Sequence, residues 1–277
     1  MAERLVTSIR RRLLISAVIV LASATLMAQA PATAKDNQVL RWQNEDDCSL
    51  QTETFPLKKQ DLIVTTTGGG ILFTSGMTID ADGAPNAYGP HNHGLDFTAN
   101  ARGQHGWVAL VTNQNGRPVI QKSGPYRGYY VSTTSLHQGQ MYDERDPKRY
   151  IDATKIPYIA LPSDFARRYN INLGDLALVR NQVNSRSVYG IFADVGPKGR
   201  IGEGSIALAK RLGIPANPRH DSAEDGVTYL IFPGSALPAD RRITARSIKS
   251  AAARLYHRWG GTQRLRSCEL APSADKE

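Results

Sequence analysis

Asp194 and Glu203 are the residues whose setting best fits chemistry. In the run Val188-Tyr189-Gly190-Ile191-Phe192-Ala193-Asp194-Val195-Gly196-Pro197-Lys198-Gly199-Arg200-Ile201-Gly202-Glu203-Gly204-Ser205, an apolar stretch ends at Asp194 and a glycine-rich loop follows. Glu203 then stands just before a helical pattern. Two carboxyl groups held at a strand end and at a loop–helix junction can divide the labour of general acid–base hydrolysis. One stays protonated and donates to a leaving oxygen, while the other is ionised and activates water or attacks. Glycosidic bonds are cleaved in this way, with carboxyl groups ~6.5–9.5 Å apart for inversion and ~5–5.5 Å for retention. A loop containing Gly196, Pro197, Gly199 and Gly202 allows either separation. The same residues also have a plain reading. Asp194 can be a turn former accepting backbone N–H groups, and Glu203 can complement the positive end of a helix.

Other candidates are less specific. Asp82 lies in Asp80-Ala81-Asp82-Gly83-Ala84-Pro85, which also reads as a turn, and Asp96 reads as the cap of a short helix. Tyr88, Trp107, Tyr129 and Tyr130 can stack on apolar ligand faces or simply fill a core. His91, His93 and His105 resemble a metal cluster by composition, but their spacing matches no ligand motif. No metal and no cofactor is expected, and hydrolysis by paired carboxyl groups needs none.

These side chains must be held by short β-branched and aromatic runs: 62–67, 71–75, 107–112, 118–121, 129–134, 158–161, 176–180, 188–193 and 228–232. Turn signals separate them, among them Gly68-Gly69-Gly70, Asp82-Gly83, Asn115-Gly116 and Gly196-Pro197. The pattern predicts a mostly β, single-domain barrel with a few short helices and a C-terminal helix. Helices are expected from Ser163 to about Tyr169, from Ser205 to Leu212 with Gly213 closing it, and from an Asp240 cap through Trp259. The last would turn Ile243, Ala251, Leu255 and Trp259 toward the barrel, with Ile248 close by.

The domain plan follows: 1–30 a signal peptide, 31–60 a linker and N-terminal segment, 61–238 the catalytic domain, and 239–277 a basic helix and tail. Arg4 and Arg10 to Arg12 precede an apolar run, Leu13 to Met27, and then Ala28-Gln29-Ala30. That reads as an export signal, short for the ~20 residues of a membrane span, with a retained anchor as the alternative. The chain is expected to be secreted or periplasmic, with no membrane span after cleavage. The formal charge of +9 is concentrated at the two ends; residues 31–240 hold 21 basic and 21 acidic residues. Such a distribution argues against a nucleic-acid partner. Cys48 and Cys268 are expected to form a disulfide in an exported chain.

An ordered set of motifs adds a family. Ser75-Gly76-Met77-Thr78-Ile79-Asp80-Ala81-Asp82-Gly83-Ala84-Pro85-Asn86-Ala87-Tyr88, Gly128 to Thr134, Arg149 to Ala153, Ile156 to Pro162, Asp194 to Pro197, Ile201 to Ser205 and Phe232 to Ser235 resemble the fungal-type chitosanases of glycoside hydrolase family seventy-five. The resemblance runs from about Phe73 to Phe232. It implies a double-psi-like barrel that cleaves β-1,4 bonds of chitosan with inversion; a monomer is expected. It also carries the family's catalytic acids over to Asp194 and Glu203, with Glu203 as proton donor and Asp194 as base to water. Asp82 and Asp96 would then meet the ammonium groups of a glucosamine polymer, and Tyr88 and Tyr129 its sugar faces. Two other readings stand beside this one. The first is a hydrolase of another amino-sugar polymer such as peptidoglycan, which the basic C-terminal helix would suit; the second is a carbohydrate-binding protein without catalysis.

Overall fold

Glycine turns cut the β-branched runs into short strands, and the strands close on themselves. The computed structural model describes residues 51–139, 142–238 and 241–270, with Leu270 described by its backbone alone. The proposed signal peptide, Cys48 and Asp240 lie outside the described residues. The strands are β1 (Gln51–Phe55), β2 (Leu62–Thr67), β3 (Gly70–Asp80), β4 (Arg102–Gly103), β5 (Gly106–Trp107), β6 (Tyr158–Pro162), β7 (Leu176–Asn181), β8 (Ser187–Gly196), β9 (Glu203–Ser205) and β10 (Ser222–Phe232). The α-helices are α1 (Ser163–Arg168), α2 (Ile206–Leu212), α3 (Ala245–Trp259) and α4 (Gly261–Leu270). No helix among the described residues is long and apolar enough to cross a membrane.

The pairing order β3–β10–β7–β8–β6–β9 returns to β3, so these strands form a closed barrel. β3–β9 and β6–β8 are parallel and the other neighbours antiparallel. Closure removes the open edges that would otherwise recruit other strands. β3 makes it possible through its length: it pairs with β10 from Ile71 to Thr78, with β2 over its first residues and with β9 over its last. Tyr158, Ile159, Leu161, Leu176, Ile191, Leu230 and Phe232 are fully or almost fully buried in the core. Each such side chain contributes ~1.5–3 kcal/mol relative to exposure.

β1 pairs with β2 within the segment expected to be a linker. Its polar residues hide a single anchor, Phe55, whose ring meets Phe165 edge-on at 5.0 Å. The runs at 107–112, 118–121 and 129–134, expected as strands, form only β5 and isolated bridges such as Leu110–Ser132, Thr112–Pro118 and Ile120–Tyr130. Turns interrupt them every few residues, and Pro118 has no N–H to extend a ladder.

α2 matches its expected bounds closely. Ser205 Oγ accepts the Leu208 N–H at 3.1 Å, and Gly213 ends the helix with φ 72°. For α3, Thr244 is the cap, in a reciprocal pairing with Ser247. Its buried stripe is Ile248, Ala252, Leu255 and Trp259, so Ala252 takes the place expected of Ala251. Gly260 ends α3, and α4, which the sequence pattern did not signal, follows at once. The Trp259 Nε1–H donates to the Thr67 carbonyl at 2.9 Å and fastens the C-terminal helices to β2.

Candidate active site

β6 stands between the strands that carry the two acids. Ala160 is in register with Asp194 of β8 on one side and with Glu203 of β9 on the other. In-register residues project to the same face of a sheet, and the Cα atoms of Asp194 and Glu203 lie two strand spacings apart, ~10 Å. The side chain between them is only the methyl of Ala160. Gly196, two residues beyond Asp194, leaves room for the Glu203 carboxyl group. A Cβ on Gly196 would lie 2.9 Å from Glu203 Oε2 and 3.8 Å from the Ala160 Cβ. Glu203 was expected at a loop–helix junction. It is instead the first residue of β9, paired to both β3 and β6, which fixes its Cα far more firmly than a loop would.

Gly202, just before it, has φ 86°, and a Cβ there would fall 2.3 Å from the Gly76 carbonyl oxygen. Only glycine fits this crossing. The Gly202 carbonyl accepts the Thr78 N–H at 2.8 Å and so docks β9 onto β3.

β3 brings further acids. Thr78 is in register with Glu203, so Asp80, two residues on, belongs to the same face. The carboxyl oxygens of Asp80, Asp82 and Asp194 converge to within 4.8 Å of one another. Protein donors already engage all three. The Asp82 N–H reaches Asp80 Oδ1 at 2.7 Å, and Tyr88 Oη–H donates to Asp82 Oδ1 at 2.6 Å. Asp194 Oδ1 accepts Ser135 N–H at 2.9 Å, Ser135 Oγ–H at 2.6 Å and Val195 N–H at 2.8 Å. Tyr158, two residues before Ala160, donates its hydroxyl to the Asp82 carbonyl at 3.0 Å. The geometry would admit a cation among the three acids, but nothing in their donor sets requires one.

The electrostatics separate the two members of the pair. Burial, then the charge of Asp194, pushes the Glu203 carboxyl up to about 7, with Arg200 opposing. Burial also raises Asp194, but the Ser135 and Val195 donors pull it back. Asp80 and Asp82 are driven well above the usual carboxylate range by burial and then by neighbouring carboxylates. Donors thus oppose burial at Asp194, whereas at Glu203 burial and a neighbouring charge act together.

Of the other residues singled out from sequence, Asp82 and Tyr88 join the cluster directly. Asp96 is buried, and Asn100 Nδ2 and the Phe97 N–H occupy its carboxylate at 2.7–3.0 Å; the cap of the following 3-10 turn is Phe97 rather than the expected Asp96, whose charge raises Glu203 slightly. Tyr129 takes no part in the cluster's hydrogen bonds and packs edge-on against His93 at 5.0 Å. Trp107 holds the Arg102 guanidinium over its ring at 4.6 Å. Asp80, Ser135, Tyr158 and Gly196 were not singled out. The Asp80-x-Asp82 spacing and the Tyr158-x-Ala160 alternation were readable signals. Ser135 had none, since it meets Asp194 only through the tertiary fold.

The closed barrel thus brings two carboxyl groups with different surroundings, Asp194 and Glu203, to one face. A family model described as fungal chitosanase of glycosyl hydrolase group 75 matches residues 77–258. The chain belongs to that family and is a glycoside hydrolase. No curated protein matches it.

Proposed function

We propose that this protein is an exported endo-acting chitosanase that inverts configuration, with Glu203 as general acid and Asp194 as general base. Family membership supports the chitosan substrate. The observation that carries the mechanism is the placement of the two carboxyl groups on either side of Ala160, one held protonated to about pH 7 and the other bound by three hydrogen-bond donors. Glu203 gives its proton to the leaving glycosidic oxygen as the C1–O bond breaks. Asp194 takes a proton from the water whose oxygen bonds to C1 from the opposite face. Two strand spacings leave room for that water, in keeping with the ~6.5–9.5 Å of inverting enzymes. The surrounding acids suit a polycationic chain. Asp82 is offered as a contact to a glucosamine ammonium group. The N-terminal basic–apolar run supports export, and a Cys48–Cys268 disulfide is proposed to go with it.

The test follows hydrolysis of partly deacetylated chitosan by proton NMR, beside turnover of purified peptidoglycan. Early release of the α-anomer from chitosan, with no wall turnover, is expected. Early release of the β-anomer would overturn inversion, and preferential wall turnover would overturn the substrate.

A further inference from the structure

We infer that Ser135 is a positioning residue of the hydrolytic centre: it fixes the negative charge of the crowded carboxyl cluster on Asp194 rather than on its neighbour Asp82. The inference rests on the reading of Asp194 as the base. Carboxyl groups this close, with their oxygens within 4.8 Å, cannot all ionise in a buried setting. The donors decide which one does, because hydrogen bonds to a carboxylate favour its charged form. Asp194 Oδ1 receives three, two of them from Ser135. Asp82 receives one side-chain donor, the Tyr88 hydroxyl, and Asp80 receives the Asp82 N–H.

The serine hydroxyl is set for this task. Its oxygen accepts the Val195 N–H at 3.2 Å, which leaves its own hydrogen to donate to Asp194 at 2.6 Å. Ser135 is exposed, in the long segment between β3 and β6, so it can be changed without opening the core. The other charged and titratable groups facing the pair are Asp80 from β3, Glu203 from β9 and Tyr158 from β6, with Arg200 and Asp96 acting on Glu203. None of them donates to Asp194 Oδ1 as Ser135 does. During the reaction the base must be unprotonated when water attacks, so the serine sets the lower pH limit of turnover.

The experiment measures kcat and KM against pH on a soluble glucosamine hexamer for the wild type, S135A, S135T and D194N, with thermal melts to verify folding. Loss of one charge-assisted hydrogen bond should move the acid limb of kcat in S135A up by about one pH unit. Turnover on that limb then falls ~10-fold, the deficit shrinks toward neutral pH, and KM stays close to wild type. S135T, which keeps the hydroxyl, restores the wild-type limb. A loss in S135A that is equal at every pH, or an acid limb that does not move, overturns the role of Ser135 while an inactive D194N leaves the base assignment standing. A fully active D194N removes the base assignment itself.

Discussion

Glu203 keeps its proton to about pH 7 because burial and the charge on Asp194 both oppose ionisation. An unfolded glutamate releases it near 4.5. Between those values the folded chain binds more protons than the unfolded one, so this residue's contribution to stability is greatest below pH 4.5 and is lost as pH rises through 7. Glu203→Gln removes the dependence. The variant should melt higher than wild type at pH 8, by about 1–3 kcal/mol of stability, and by less at pH 5, as followed by thermal unfolding in matched buffers. An equal difference at both pH values would show that Glu203 is not buried as described. Gly196→Ala probes the gap itself. The added Cβ meets the mobile end of Glu203 at 2.9 Å rather than backbone, so the fold should hold while the carboxyl group is displaced. A displacement of this order should reduce kcat ~10–100-fold with little change in melting temperature. At this scale the sequence revealed the pair through the glycine-rich run between its members. It could not reveal Ser135, which lies 59 positions from Asp194 and touches it only because the barrel brings them together.

The elements that frame the site divide by how local their signals are. α2 was legible to within a residue, since its cap and its terminating glycine are neighbours in sequence. β9 was not, because three residues gain strand character only by lying between β3 and β6. The same holds for β1, whose polar run becomes a strand through Phe55 and β2. In α3, Thr244 with Ser247 out-competed the expected Asp240 start because the capping pair satisfies two backbone donors reciprocally. Thr244→Ala should cost about 1 kcal/mol in denaturant unfolding and leave the pH–activity profile unmoved. Gly202→Ala should behave differently. The new Cβ meets backbone at 2.3 Å in a left-handed conformation, so β9 must shift. Stability should fall by about 1–3 kcal/mol and activity with it, since Glu203 moves with its strand. Full activity in that variant would show that docking β9 does not place the acid.

Across the whole molecule, barrel class was legible because many short strands with frequent turns have few other solutions, whereas closure through β9 and the clustering of acids from β3, β8 and β9 depend on long-range register. The charge distribution also makes sense at this scale. A chain of net charge +9 would be a poor host for a polycation if its charge were spread evenly, but the basic excess lies at the ends and the acids converge on one face of the barrel. The proposed Cys48–Cys268 bridge would close most of the mature chain, and Cys268 is buried on α4 with Thr67 Oγ1 3.7 Å from its sulfur. Under reductant, or in Cys268→Ser, the melting temperature should drop by roughly 10 °C, from ~4–5 kcal/mol of loop-closure entropy. An unchanged melting curve and two titratable thiols in the untreated protein would rule the bridge out. The central claim is that hydrolysis runs between Asp194 and Glu203 across Ala160. Its most direct test is the turnover of a soluble glucosamine oligomer by D194N and E203Q, both confirmed as folded. Each should lose activity by about 10²–10⁴-fold; a wild-type rate in either would contradict the account.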